Sequence, residues 1–215
     1  MIETFDLFPS ALGRIMYDDA VDIKQTIIGM IDGSPMEPNA KEPALLHFEN
    51  SANQSFLHKE SLSGFREWIE QQCTEFVHKS LGYSVDKMIT TDSWLNLCNA
   101  GGGQYPHFHG NAYISGTYYV HFREGHSPLT FRHPENSTHS QFPSISLQSD
   151  KENPNKYNSD VFIYPAEGEL LLWQSHLTHG YTDNAADNRI SISMNFMPEI
   201  VNNDRYAYKV VPLHK

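Results

Sequence analysis

Two amphipathic helical stretches followed by many short alternating strands predict an α+β chain with a jelly-roll or barrel core. Three observations carry this expectation. Apolar residues recur at helical spacing up to Gly82, the period changes to two from Lys87 onward, and turn residues separate the apolar runs that follow. At 215 residues and 39% hydrophobic content, a single domain over 1–215 is expected, with helical support over about 18–82 and the jelly-roll over about 86–212.

Residues 2–16 contain Phe5, Leu7, Phe8 and Pro9 and read as an extended segment with one strand. Asp18 and Asp19 precede a helical pattern through Ala20, Ile23, Ile27 and Ile31, which Gly33 and Pro35 end. Residues 34–55, rich in Pro, Asn and Glu, read as a loop. A second helix over 63–81 carries the stripe Phe65, Trp68, Ile69, Cys73, Phe76, Val77 and Leu81, with Gly82 as the C′ residue. Such stripes are packing faces, so the helices are expected to support a sheet. Strands are expected at 89–98, 112–122, 128–132, 161–164, 169–173 and 189–197, with a last edge strand at 206–212. The polar segment 133–159 is long for a connection and is the candidate lid or substrate clamp.

A formal charge of −11 opposes binding to nucleic acid or to an anionic membrane. No apolar run approaches the roughly 18 residues that a membrane span needs, and the first residues lack the basic region of a signal peptide. Cys73 and Cys98 form no framework and have no metal spacing; both read as buried free thiols, and a reducing, cytoplasmic location is expected. His47, His58, His78, His126, His133, His139 and His214 stand singly in polar surroundings, where surface positions are expected. His121 sits in an apolar strand and is expected to be a hydrogen-bonded structural histidine.

The residues with chemistry lie in two pieces. His107 and His109 are two apart, so on extended chain both imidazoles leave the same face and can reach one metal ion. Glycines 101–103 just before them turn the chain at a strand end. A third ligand must come from elsewhere, and His176 and His179 both follow a strand toward the same region. Imidazole sites with open positions suit Fe(II), Zn or Cu. Arg189 and Ser191 begin a strand whose odd positions (Arg189, Ser191, Ser193, Asn195) are polar and whose even positions (Ile190, Ile192, Met194, Phe196) are apolar. An arginine there offers a planar fork for a carboxylate. Counting by twos from His109 turns Tyr119 toward the site and Tyr118 toward the packing side, unless a bulge at Gly116 reverses them.

Taken together, Tyr105-Pro-His107-Phe-His109, His179, Arg189-Ile-Ser191, Gly116-Thr-Tyr118-Tyr119 and the run from Pro165 through Gly168 to Trp173 resemble the Fe(II)/2-oxoglutarate-dependent oxygenases. The likeness is to the prolyl-hydroxylase branch and to a subgroup found in bacteria and phages, and it covers about 93–197. It implies a double-stranded β-helix, Fe(II), 2-oxoglutarate and O2 as co-substrates, and hydroxylation with release of succinate and CO2. It further implies His107, His109 and His179 as metal ligands, and Arg189, Ser191, Tyr119 and Asn96 as residues holding the co-substrate. Asn96 reads equally as a satisfied strand asparagine. The substrate is an unidentified protein, peptide or small molecule, with a prolyl or other protein residue suggested by the branch.

One departure stands out. The family's carboxylate ligand position is His109 here, which leaves a metal at its full +2 charge until the dianion binds. The alternative is that water fills that position and His109 stands behind it. Two rival functions are a cupin-type metalloenzyme that does not use 2-oxoglutarate and a non-catalytic jelly-roll binding protein. The cupin reading lacks the glutamate expected soon after His109; Tyr113 and Ile114 occupy that region.

Overall fold

Alternation of side chains, one to each face of a strand, sorts this chain into layers. The computed structural model describes all residues except 43, 49–54, 135–147, 149, 151, 153–155, 157–158 and 214–215. In chain order the elements are β1 (Leu12–Met16), α1 (Ala20–Ile31), β2 (Met36–Pro38), β3 (Leu45–Phe48), α2 (Ser63–Lys79), β4 (Met88–Cys98), β5 (Gln104–His107), β6 (Ile114–His121), β7 (Leu129–Phe131), β8 (Val161–Ile163), β9 (Glu169–Gln174), β10 (His179–Tyr181), β11 (Arg189–Pro198), β12 (Ile200–Asn202) and β13 (Ala207–Lys209). Two single 3-10 turns, Phe56–His58 and Glu60–Leu62, lead into α2.

Seven strands form the major sheet in the order β1-β9-β6-β11-β4-β3-β2, and four form the minor sheet in the order β5-β10-β7-β8. The paired strands run antiparallel throughout both sheets. This is the double-stranded β-helix. β11 lies at the centre of the major sheet, paired with β4 on one side and β6 on the other. Its even residues Ile190, Ile192, Met194 and Phe196 join the core beneath the helices, together with Leu170, Leu172, Tyr118 and Val120. Its odd residues face the minor sheet. Between the sheets lies a smaller apolar cluster of Tyr119, Leu129, Leu171 and Trp173.

α2 buries Phe65, Ile69, Cys73, Phe76 and Val77 against the major sheet. At about 1.5–3 kcal/mol for each fully buried large apolar side chain, this stripe contributes on the order of 10 kcal/mol, an upper figure because the unfolded chain is already partly collapsed. Polar contacts fix the helix to β4: Glu70 accepts from the Thr90 amide at 3.0 Å and pairs with Lys87 at 3.1 Å, while Thr74 Oγ1 accepts from the Met88 amide at 2.9 Å. Beyond the end of α2, Gly82 takes φ +73°, the left-handed conformation that glycine adopts without strain. α1 is tied to the end of β6 by Glu167, which accepts from Lys24 at 2.7 Å and from His121 Nδ1 at 2.6 Å. His121 is thus the hydrogen-bonded structural histidine that its strand position predicts.

Several expectations need correction. Residues 34–55 are not all loop, because β2 and β3 pair with each other and β3 extends the major sheet beside β4. They place sheet strands inside the segment expected to be helical support, whereas β1 on the opposite edge is the strand expected within residues 2–16. The edge strand expected at 206–212 is the shorter β13, which pairs with β12 in a separate hairpin rather than with either main sheet. His126 is buried, not on the surface. Its Nε2 donates to the Asp187 carbonyl at 2.9 Å and its Nδ1 accepts from the Arg123 amide at 3.2 Å, so it ties two loops together. His47, His58 and His133 are half-buried, and His78 is exposed. His139, His214 and most of the 133–159 segment lie outside the described residues. Cys73 and Cys98 are buried free thiols, as expected.

Candidate functional site

The cavity between the sheets takes its polar wall from the odd residues of β11 and its imidazoles from β5, β10 and the loop after β5. His107 and His179 are cross-strand partners in the minor sheet. Gly180 allows this close pairing: a Cβ there would lie 2.5 Å from the Gln104 carbonyl oxygen and 3.0 Å from the Pro106 nitrogen. His109 follows two residues beyond His107, and its amide donates to the Ser175 carbonyl at 3.0 Å. Ring centroids lie 4.6 Å apart for His107 and His179, 5.1 Å for His107 and His109, and 5.2 Å for His109 and His179. One nitrogen from each ring falls within 4.8 Å of the others. His176, the other candidate for the third position, is exposed and outside this group.

The hydrogen bonds decide which nitrogens converge. His107 Nδ1 donates to the Tyr105 carbonyl at 2.8 Å, His179 Nδ1 donates to the Leu177 carbonyl at 2.8 Å, and His109 Nδ1 donates to Asn195 Oδ1. With each proton held on Nδ1, each Nε2 keeps its lone pair for the cluster centre. Burial, then the nearby His107, pushes His179 down to about 3, and burial likewise lowers His109. Both rings are therefore neutral at pH 7 and able to donate to a metal. Three imidazole nitrogen donors with open positions fit a divalent transition ion. Trp94 lies 5.8 Å from the His109 ring and Trp173 stands edge-on 4.7 Å from the His179 ring, which walls the triad on two sides.

Arg189 lines the same narrow cavity with Ser191, Ser193, Thr117, Tyr119 and Tyr181. It is 2% exposed. Its guanidinium carbon lies 3.8 Å from the Tyr181 ring centre and 5.2 Å from that of Tyr119, and Nε donates to the Ser127 carbonyl at 3.2 Å. Asn184 holds that carbonyl in place, accepting from the Ser127 amide at 3.0 Å while its own amide donates to Ala186 and Cys98 carbonyls. Among the described residues no carboxylate forms an ion pair with Arg189. Among the described residues the buried hydroxyls of Tyr119 and Tyr181 make no well-formed hydrogen bond, their polar neighbours being Arg189 itself and the weakly bonding Cys98 thiol. A buried cation and two unsatisfied donors are costly unless an anion completes them, so the residues fit a carboxylate ligand.

Tyr119 faces the cavity, and Tyr118 packs on the helix side, 4.8 Å from Phe65. The count from His109 crosses a turn at Gly110 and Asn111, so the strand's own alternation settles this orientation. The bulge in the β6 pairing falls after Tyr119, at Val120, and Gly116 does not host it. Asn96 does not line the cavity. It shares the inward parity, but Trp94 occupies the wall, and the Asn96 amide donates to Ser193 Oγ at 3.1 Å from behind it. Sequence reasoning missed Tyr181, although its place two residues after His179 on one strand face was a usable signal. It also missed Trp94, Trp173 and Asn184.

Residues 92–195 match the family described as "Putative 2OG-Fe(II) oxygenase". The matched stretch is just under half of the chain, and it marks the family to which this chain is similar. Solved structures agree with it in fold. HygX from Streptomyces hygroscopicus, solved with nickel, 2-oxoglutarate and hygromycin B, superposes with a TM-score of 0.59 at 10% identity, covering 88% of this chain and 83% of that one. A Pseudomonas putida prolyl-4-hydroxylase gives 0.54 at 12% identity, covering 87% and 92%. A prolyl hydroxylase from Trichoplax adhaerens, in complex with a hypoxia inducible factor peptide fragment, gives 0.57 at 13% identity, covering 87% and 84%. No curated protein matches the chain in sequence.

Proposed function

We propose that this protein is an Fe(II)- and 2-oxoglutarate-dependent dioxygenase that hydroxylates a C–H bond of a prolyl or other protein residue. The observation that carries the reading is one cavity walled by three converging imidazoles and by a buried arginine that has no carboxylate partner among the described residues. Bound Fe(II), with 2-oxoglutarate and O2, supplies oxidative decarboxylation to succinate and CO2 and the oxidising power for the C–H bond.

The chain's own residues do the rest. His107, His109 and His179 would hold the metal through Nε2, each ring oriented by an acceptor on Nδ1. Arg189 would receive the distal carboxylate of 2-oxoglutarate, with Tyr119 and Ser191 adding hydroxyl bonds. Asn96 would act one step back, by holding Ser193. The tryptophan walls exclude water from the reacting centre. Tyr105 and Phe108, exposed beside His107 and His109, offer apolar surface at the mouth where an extended peptide could lie. That feature favours the peptide substrate, since the fold alone serves proteins solved with hygromycin B and with a peptide fragment.

The chain would work as one domain, because β1, β2 and β3 complete the sheet that carries Arg189. No described helix is long and apolar enough to cross a membrane, and the free thiols support the cytoplasm as its location. The test is succinate release from 2-oxoglutarate with Fe(II), with and without a panel of proline-containing peptides. Metal-dependent release that a peptide accelerates is expected. Metal binding without any effect of 2-oxoglutarate would favour the cupin reading instead.

A further inference from the structure

We propose that Asp92, acting through Asn195, fixes the tautomer of His109 and so makes an imidazole serve at the superfamily's carboxylate position. The proposal rests on the three-imidazole reading above. It begins from an irregularity in the central sheet. β11 pairs with β4 residue for residue from Arg189 opposite Cys98 to Asn195 opposite Asp92, and then Phe196 pairs with Thr90. Thr91 is the extra residue of a bulge, a device that re-aims side chains beside active sites. Its hydroxyl donates to Asp92 Oδ2 at 2.9 Å and sits 3.3 Å from the Asn195 carbonyl oxygen. The side-chain amide of Asn195 donates to the same Oδ2 at 3.3 Å. On its other end, Asn195 Oδ1 accepts from Ser115 Oγ at 3.1 Å and from His109 Nδ1 at 2.5 Å. Asn195 itself is 4% exposed.

A carboxamide has a donating end and an accepting end, and Asp92 decides which faces the histidine. A carboxylate oxygen only accepts, so the NH2 end must face Asp92. The carbonyl end then faces His109, and since it too only accepts, His109 must carry its proton on Nδ1. Its Nε2 lone pair is left toward His107 and His179. A flipped amide would present a donor to Nδ1, move the imidazole proton to Nε2 and block the metal. His107 and His179 receive the same instruction from backbone carbonyls, which cannot flip. His109 alone depends on a side chain, and through it on a charge in the neighbouring strand. Asp92 and Asn195 are therefore positioning residues.

The test combines ¹⁵N imidazole NMR of the metal-free protein with Zn(II) titration. Wild type should show His109 protonated at Nδ1. Asn195→Leu should lower Zn(II) affinity by roughly 10- to 100-fold, the usual effect of losing such a partner. Asp92→Asn should leave the His109 proton shared between both nitrogens. The paired swap Asp92→Asn with Asn195→Asp keeps every donor facing an acceptor, and should restore both the Nδ1 signal and the affinity. Asn195→Leu should cost nothing further once His109 is alanine. A metal-free wild type protonated at Nε2, a failed swap, or an Asn195 effect that persists without His109 would overturn the proposal. Zn(II) affinity unchanged in His109→Ala would instead overturn the three-imidazole reading beneath it.

Discussion

Replacing Arg189 with methionine separates the cost of holding a buried cation from its use. The guanidinium is out of solvent, without an ionic partner among the described residues, and is supported by one hydrogen bond and by the Tyr181 face at 3.8 Å. Burial of an ion costs several kcal/mol even after relaxation. Against that stand about 2 kcal/mol from a desolvated cation–π contact and about 1.5–3 kcal/mol from a charged hydrogen bond. These nearly cancel, so Arg189→Met should change metal-free stability by no more than about 1 kcal/mol, a melting shift within roughly 4 °C for a chain of this size. The loss should appear in ligand binding, where removing charged hydrogen bonds to a carboxylate costs about 1.5–3 kcal/mol. That is roughly a 10- to 150-fold weaker Kd for 2-oxoglutarate. Calorimetric titration with Mn(II) present, beside a melting curve, measures both. Unchanged 2-oxoglutarate affinity would refute the anion-site assignment, and a collapse in metal-free stability would refute the account of Arg189 as an incompletely partnered cation.

Gly180→Ala should destabilise by about 1–3 kcal/mol, as overpacking does, and should weaken metal binding, because the new Cβ forces β10 off β5 between the paired His107 and His179; metal titration and melting curves check both parts. Ile69→Ala should lower stability by about 2–5 kcal/mol through a cavity in the fully buried α2 contact, while the folded protein keeps a stoichiometric metal site, as measured by metal content below the melting range. Burial alone would raise the Glu167 carboxyl, but hydrogen bonds from Lys24 and His121 outweigh it and hold the group below its ordinary 4.5. A carboxylate with a depressed value stabilises the fold above its unfolded value, and that contribution is lost as pH falls through the folded one. Glu167→Gln should therefore lower the melting temperature near pH 6, with the difference from wild type shrinking toward pH 3.

The most readable part of the chain was β11, because a central strand with one wet and one packed face writes a strict alternation over eight residues, Arg189 to Phe196. That alternation put Arg189, Ser191, Ser193 and Asn195 on the cavity side before any contact was known. The helices were readable for the same reason, through a 3.6-residue stripe. β5 and β10 were not: they are short and contain Pro106, Gly180 and histidines, poor strand formers that are ordered by pairing with one another. β2 and β3 have only three and four residues, too few for a period to show among Pro, Asn and Glu. Asn96 was placed on the correct face but not in the cavity wall, since the reach of the Trp94 indole is not written in parity. The link between Asp92 and Asn195 depends on the bulge at Thr91, which appears only once β4 and β11 are paired.

The central claim is that one cavity holds a metal on His107, His109 and His179 beside an anion site on Arg189. The most direct measurement is the anaerobic visible spectrum on adding Fe(II) and 2-oxoglutarate, where a chelating keto acid gives a charge-transfer band that neither component gives alone. Wild type should develop this band with one-to-one stoichiometry, and His179→Ala should not. Wild-type protein that binds iron but develops no band with 2-oxoglutarate would contradict the claim.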